Sequence, residues 1–376
     1  MPICFDLSAA AHERAGLGRY AASLAQALLT QRVPLAAFIN HPGEAHLRPP
    51  LSNLPTFTAH LPRKQWRLRA AVSYFGGPAM DAAFPGVTLF HATEHLLPKL
   101  TRARSVFTLH DTAYLRYPQY HLLQNRLYLT LMMPRFLARA DAVICVSEHT
   151  RRDALHYYPQ LNPAKICVIP EGVEPHFRLP ARRADLLPIQ AKYGLPERFI
   201  LYVGTIEPRK NLSTLLEAYA ELRQHLPDVG LVIAGGKGWL YESFFETLKR
   251  LGLEPHVILT GFVPEADLPG LMACAKVFAY PSEFEGFGLP PLEAMACGVP
   301  VACSNASSLP EVVGNAGLLL PPREARAWQA ALYHLLTDEA LRADLRERGL
   351  TRARQFTWEA AAKKTLAVYD QIGWRP

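Results

Sequence analysis

Tyr280-Pro-Ser-Glu-Phe-Glu-Gly-Phe-Gly-Leu-Pro-Pro-Leu-Glu-Ala-Met-Ala-Cys-Gly-Val-Pro-Val301 carries three signals in one short segment. The apolar run Lys276–Tyr280 leading into it reads as a buried strand. Gly286-Phe-Gly288 permits close approach of another group to the backbone. Pro290-Pro291 suits the first turn of a helix expected over Leu292–Ala296. Strand, glycine loop and helix start together aim amides and a positive dipole end at an anion, as doubly wound α/β sheets do for phosphate. Glu285 and Glu293 flank that point, and carboxylates there can accept hydrogen bonds from sugar hydroxyls. The plainer alternative leaves Glu285 in solvent and Glu293 complementing the helix dipole.

The same alternation of apolar runs and amphipathic stretches extends outward through the chain, predicting parallel sheets. Strands are expected at Pro2–Leu7, Leu35–Ile39, Thr88–His91, Ser105–Leu109, Ala142–Val146 and Lys165–Ile169. A second set follows at Phe199–Val203, Gly230–Ala234, His256–Thr260, Lys276–Tyr280 and Val299–Cys303. Helices are expected over Leu17–Leu29, Asn211–Gln224, Phe244–Leu251 and Ala325–Leu336. A length of 376 residues implies two domains of this kind. The proline-rich stretch Glu174–Pro196 reads as their junction, giving domains 1–180 and 181–356.

Composition narrows the function. No apolar run is long enough to cross a bilayer, and the first residues lack the pattern of a secretory leader, so a cytoplasmic protein is expected. Six cysteines without a Cys-x-x-Cys pair predict neither a zinc site nor a disulfide framework. The net charge of +7 arises in the first half: residues 1–180 carry 19 Lys/Arg against 11 Asp/Glu, residues 181–376 carry 21 against 22. That asymmetry points to an anionic partner for the first half. A nucleic-acid partner draws on the charge alone and finds no binding motif.

Two further motifs follow strands. Leu201-Tyr-Val-Gly-Thr-Ile-Glu-Pro-Arg-Lys-Asn-Leu212 sets Arg209 and Lys210 where they could neutralise a diphosphate leaving group, or simply sit in solvent. Thr108-Leu-His-Asp-Thr112 ends an apolar strand on a polar pair, His110 and Asp111. His91, Glu94 and Tyr114 also follow strands and are expected on the acceptor side. Neither a Walker-type loop, a complete Gly-x-Gly-x-x-Gly nor a Gly-x-Ser-x-Gly elbow occurs, and the absence of Asp-x-Asp argues against a nucleotide–metal clamp.

Glu285-Gly-Phe-Gly288 with Leu292-Glu293-Ala-Met-Ala296, together with Gly204, Glu207-Pro-Arg-Lys-Asn211, Ala15-Gly-Leu-Gly-Arg-Tyr20, Val146-Ser-Glu148 and Ile169-Pro-Glu-Gly-Val173, resembles the retaining glycosyltransferases of family 4 (glycosyl transferases group 1). The resemblance implies the GT-B fold, two Rossmann-like domains facing across a cleft, with the last helix, 357–376, returning to the N-terminal domain. It implies a C-terminal domain holding a nucleotide-sugar. Glu293 would bind the ribose and Glu285 the donor sugar. Arg209 and Lys210, with the amides of Gly286, Phe287, Gly288, Leu289 and Gly16 and with Gly204 nearby, would hold the diphosphate. Phe262 and Val263 would meet the base, with Val173 packed on it. His110 would face the donor sugar and Ser147 would line the cleft. His110, Glu285, Arg209 and Lys210 are thus the expected catalytic set. No metal or other cofactor is implied.

Two departures stand out: Thr205 where many relatives carry Arg, and Glu171-Gly-Val-Glu174 where they carry Asn-Gly-Val-Asp. The version of the motifs here resembles mannosyltransferases of polysaccharide assembly. It implies a hexosyltransferase using GDP-mannose and a glycan or lipid-linked acceptor, with UDP-glucose or another UDP-sugar as the alternative donor. A two-domain sugar-nucleotide epimerase, and a glycan-binding or regulatory protein without turnover, are the competing functions. Arg63-Lys-Gln-Trp-Arg-Leu-Arg69 and Tyr74-Phe75 mix cations with aromatics, suggesting peripheral contact with an anionic membrane or else an ordinary solvated helix.

Overall fold

The computed structural model describes residues 3–12, 15–44 and 46–375, and divides into two compact units. The first is Met1–Gly172 with Thr357–Pro376, the second Val173–Phe356. The units therefore meet at 172/173, where the sequence reading put 180/181. Of the expected first strand, Pro2 lies outside the described residues.

The first unit is built on a seven-stranded sheet, ordered β3-β2-β1-β4-β5-β6-β7. Its strands are β1 (Ile3–Asp6), β2 (Leu35–Asn40), β3 (Thr56–Ala59), β4 (Leu89–Ala92), β5 (Arg104–Leu109), β6 (Ala142–Cys145) and β7 (Ile166–Val168). All adjacent pairs are parallel. The central strands are buried throughout, which is why they read as unbroken apolar runs. The helix Trp358–Gln371 packs on the helix Ala15–Thr30. It is pinned from inside by Tyr369, whose hydroxyl lies 2.6 Å from Nδ1 of His91. Where the chain leaves this unit, a Cβ on Gly172 would stand 2.2 Å from the backbone N of Trp358, so only glycine fits.

The second unit holds a six-stranded parallel sheet, ordered β10-β9-β8-β11-β12-β13. Its strands are β8 (Phe199–Val203), β9 (Gly230–Ala234), β10 (Val257–Gly261), β11 (Val277–Tyr280), β12 (Val301–Ser304) and β13 (Gly317–Leu320). Of the four edge strands, β3 and β13 are absent from the expected set: no residue of either is fully buried, whereas β7 and β10 each keep a buried residue. The strand expected at Val299 begins at Val301, and the helix expected at Leu292 begins at Leu289, with Pro290 and Pro291 inside its first turn. The helix Leu123–Arg139 is not among the helices named from the sequence.

In each sheet the strand order reverses direction at one place, between β1 and β4 and between β8 and β11. Loops leaving the carboxyl ends of those paired strands diverge to opposite faces and open a crevice where ligands bind. In the second unit these are the loops carrying Arg209-Lys210 and Glu285-Gly-Phe-Gly288.

Candidate active site

The second unit's switch point gathers charges separated by some seventy residues of sequence. Beyond β8 the chain makes a tight turn over Pro208–Lys210, then Asn211 adopts the left-handed conformation (φ 53°) and starts the helix Leu212–Leu222. An asparagine tolerates that backbone. Its amide also donates to the carbonyls of Pro281 (3.2 Å) and Pro322 (2.5 Å), fastening one loop to the other. The N–H of Glu283 donates to the Arg209 carbonyl at 2.9 Å.

Glu285 sits at the centre and is buried. Its Oε1 accepts from Lys210 Nζ (2.6 Å), Ser282 Oγ (2.6 Å) and Tyr280 Oη (3.0 Å). Its Oε2 accepts from Arg209 at 2.9 Å. Lys210 also donates to Tyr280 Oη (2.9 Å), and Arg209 to Glu207 (2.6 Å) and to the Phe284 carbonyl. Burial by itself would raise the Glu285 pKa, but Arg209 and then Lys210 pull it down to about 2, so the group is ionised. Burial, then the neighbouring Arg209 charge, lowers the Lys210 pKa, with Glu285 opposing both. Burial holds Tyr280 well above its ordinary value, so it stays a neutral donor. Arg209, Lys210 and Glu285 are therefore brought together as the sequence suggests. Glu207, Tyr280 and Ser282 complete the network without having been singled out, although all three stand within the quoted motifs.

The glycine loop is held from β12's far side. Glu285 N donates to Ser307 Oγ (2.8 Å), and Ser308 Oγ donates to the Phe287 carbonyl (2.6 Å). Gly288 has φ 120°, outside the range of ordinary side chains. Because Pro290 and Pro291 lack N–H groups, the following helix offers its dipole and fewer first-turn amides than a full set. Glu293 is buried on that helix rather than solvated. At the end of β10, Phe262 is exposed and Val263 buried. Gly204 (φ 154°) closes β8, and a Cβ on it would strike the Tyr202 hydroxyl. Val173 opens the unit with its N–H on the Phe356 carbonyl.

The remaining predicted residues belong to the first unit. His110 follows β5 and is buried. Its Nε2 donates to the Thr93 carbonyl (3.0 Å), Nδ1 lies 3.6 Å from Glu171, and Tyr20 meets the ring edge-on at 4.7 Å. Glu171 is the first residue of the departing Glu-Gly-Val-Glu segment, so that change sets a carboxylate beside the histidine. Ser147 caps the helix Glu148–Tyr157, its oxygen accepting from Thr150 N at 3.0 Å. Gly16 is in the first turn of its helix, and a Cβ there would meet nothing within 4 Å, whereas one on Gly18 would stand 2.8 Å from the Ala9 carbonyl oxygen.

Two acceptor-side expectations are corrected. His91 is enclosed between Thr108 (2.8 Å) and Tyr369, and burial drives its pKa down to about 3. Tyr114 is buried against the Tyr158 hydroxyl. Both are core groups: His91 sits inside the buried strand β4, and Tyr114 is buried in the short helix Ala113–Arg116 that follows β5. Glu94 does reach a polar pocket, shared with Asp6, Asn40, Arg63 and His95 at the carboxyl ends of β1, β2 and β4.

The second unit is thus a parallel α/β unit with a buried carboxylate–dication cluster at its switch point, the place where sheets of this kind bind ligands. Comparison with known proteins specifies the class. Residues 188–352 match the family Glycosyl transferases group 1, and residues 14–177 match Glycosyltransferase Family 4. The O-antigen chain mannosyltransferase B of Escherichia coli is 35% identical over 318 residues, covering 83% of this chain and 78% of that protein. The sucrose-phosphate synthase of Thermosynechococcus elongatus superposes with a TM-score of 0.79 at 24% identity, covering 99% of both chains. Anabaena HepE, solved with UDP and glucose, gives 0.74 at 20% identity, covering 98% of this chain and 99% of that one. The chain belongs to glycosyltransferase family 4, with the two parallel-sheet units of the GT-B fold. It is a hexosyltransferase.

Proposed function

We propose that the protein transfers mannose from GDP-mannose to a glycan or lipid-linked sugar with retention of configuration, without a metal ion. The observation that carries this is the buried triad of Glu285, Arg209 and Lys210 at the β8/β11 switch point. Negative charge builds on the diphosphate as the anomeric C–O bond breaks and the electron pair passes to phosphate oxygen. Two fixed cations at the helix end can stabilise that charge in place of a divalent ion. Two of the three Lys210 N–H groups are engaged by Glu285 and Tyr280, leaving one for a phosphate oxygen. Glu293 takes the ribose hydroxyls, Phe262 and Val263 the base, and Gly16 yields space for the diphosphate.

Glu285 keeps Oε1 saturated by three donors and Oε2 by one, which suits a carboxylate that orients a sugar hydroxyl rather than a nucleophile. That favours attack by the acceptor on the face the diphosphate leaves, the acceptor proton passing to the departing phosphate oxygen. His110, oriented by Thr93 and Glu171, serves the donor sugar, and the polar pocket of Asp6, Asn40 and Glu94 takes acceptor hydroxyls. The mannosyl assignment draws on the E. coli relative. Thermal shifts with GDP-mannose, UDP-glucose and ADP-glucose, followed by transfer assays, test it. A shift with UDP-glucose alone would replace the donor. Lys210→Ala should lower turnover about 10²-fold, and unchanged turnover and donor affinity would remove Lys210 from the leaving-group role.

A further inference from the structure

Among the described residues, every large apolar side chain that the first unit leaves exposed is on two helices or their caps. Leu68, Val72 and Phe75 come from Arg63–Tyr74 and its C-cap. Leu123, Leu127 and Leu131 come from Leu123–Arg139, with Leu122 capping it. These side chains are between 48% and 64% exposed. The spacing is helical in both, so each element carries a second apolar stripe opposite the one it buries. Inside, the first helix buries Trp66 and Ala70, the second Leu129, Met132 and Phe136.

The two helices are neighbours. Arg67 donates to Asn125 at 2.9 Å and lies over the Tyr128 ring at 4.6 Å, while Arg135 lies over Phe75 at 4.4 Å. The outer stripes thus adjoin. Neither helix contains a single Asp or Glu, and Lys64, Arg69, Arg126 and Arg135 stand among the leucines. Beside Leu68 and Val72 a cavity of about 360 Å³ opens, backed by Met80 and Ala83 with Arg69 at its lip.

We infer that this two-helix face is the seat of the protein on an anionic lipid bilayer. Apolar side chains enter the headgroup–acyl boundary while the cations meet lipid phosphates. A protein partner would be expected to answer Lys64, Arg69, Arg126 and Arg135 with carboxylates and would leave the flanking cavity unfilled; an acyl chain matches that cavity's apolar wall. The inward side of Arg63–Tyr74 supplies Arg63, Trp66 and Arg67 to the polar pocket, so one helix connects the bilayer to the place assigned to acceptor hydroxyls. The docking stands whatever the donor proves to be.

The test is sedimentation of the full chain with phosphatidylcholine vesicles, with or without about 30% phosphatidylglycerol, at low and high salt. Binding to the anionic vesicles alone, weakened by salt and reduced about tenfold or more in Leu127→Glu/Leu131→Glu, is the expected result. Both positions are exposed, so the variant should keep its melting temperature and its nucleotide-induced thermal shift. Absence of the wild type from the pellet at low salt overturns the inference. So does undiminished binding by the variant, which would mean unspecific attraction to a basic unit. A wild-type dimer that the variant converts to monomers, without vesicle binding, would assign the face to a second copy instead.

Discussion

Glu285→Gln removes one negative charge from a buried cluster and leaves Arg209 and Lys210 without their shared carboxylate, Arg209 still paired with Glu207. Depriving a buried ion pair of one partner costs about 3–5 kcal/mol. Linkage provides a second route to the magnitude. The carboxyl falls from 4.5 to about 2 on folding, a difference worth about 3 kcal/mol. A depressed carboxylate pKa stabilises the fold above the unfolded value. That contribution is complete above about pH 5 and is lost as the pH falls towards 2. For a domain of this size each kcal/mol shifts the melting temperature by about 2–4 °C, so the second unit of the variant should melt about 6–20 °C lower at pH 7. Calorimetry from pH 7 to 2.5, with limited proteolysis assigning each transition to its unit, reads both effects. The variant should lack the wild type's acid-sensitive component below about pH 5. GDP should narrow the gap at pH 7, because its diphosphate restores negative charge beside the two cations. A melting temperature within about 2 °C of wild type at pH 7, or an identical acid slope in both proteins, would refute the coupling of Glu285 to the cations.

Other outcomes follow from single contacts. Tyr280→Phe removes a donor to Glu285 and an acceptor for Lys210, and should cost about 1–3 kcal/mol in chemical denaturation. Gly18→Ala should lower the melting temperature of the first unit while Gly16→Ala leaves it unchanged but weakens nucleotide binding, as calorimetric titration would report. His91 is held neutral in the fold at a pKa of about 3, so protons bind the unfolded chain preferentially between about pH 6.5 and 3 and stability falls through that window; His91→Gln should flatten the first unit's acid profile. Transfer should persist in excess EDTA, and its loss with recovery on adding Mg²⁺ or Mn²⁺ would overturn the metal-free proposal.

The parts legible beforehand share a physical cause. Central strands such as β1, β6 and β8 are buried on both faces, so their sequences are apolar without interruption and announce themselves. Thr56–Ala59 and Gly317–Leu320 lie at sheet edges and bury less, and so send a weaker signal. Leu123–Arg139 was obscured because apolar side chains occur on its outer face as well as its inner one, blurring the helical period. At the site, Arg209, Lys210 and Glu285 could be read because loop position and charge coincide. Ser307, Ser308 and Asn211 could not, since their contacts join loops whose proximity exists only after β8, β11 and β12 assemble. His91 and Tyr114 depart from the expected acceptor side for different reasons: His91 is on β4, where one residue's pleat decides between solvent and core, and Tyr114 is on the short helix Ala113–Arg116, whose inward face the strand pattern does not report.

The helix Trp358–Gln371 has a consequence for biogenesis. A ribosome delivers it after the whole of Val173–Phe356, yet it belongs to the body that was started first. Until Tyr369 arrives, His91 and the flank of Ala15–Thr30 lack their cover. Nascent chains should therefore complete their second unit ahead of their first, and loss of the last turn should be felt at the opposite end of the sequence.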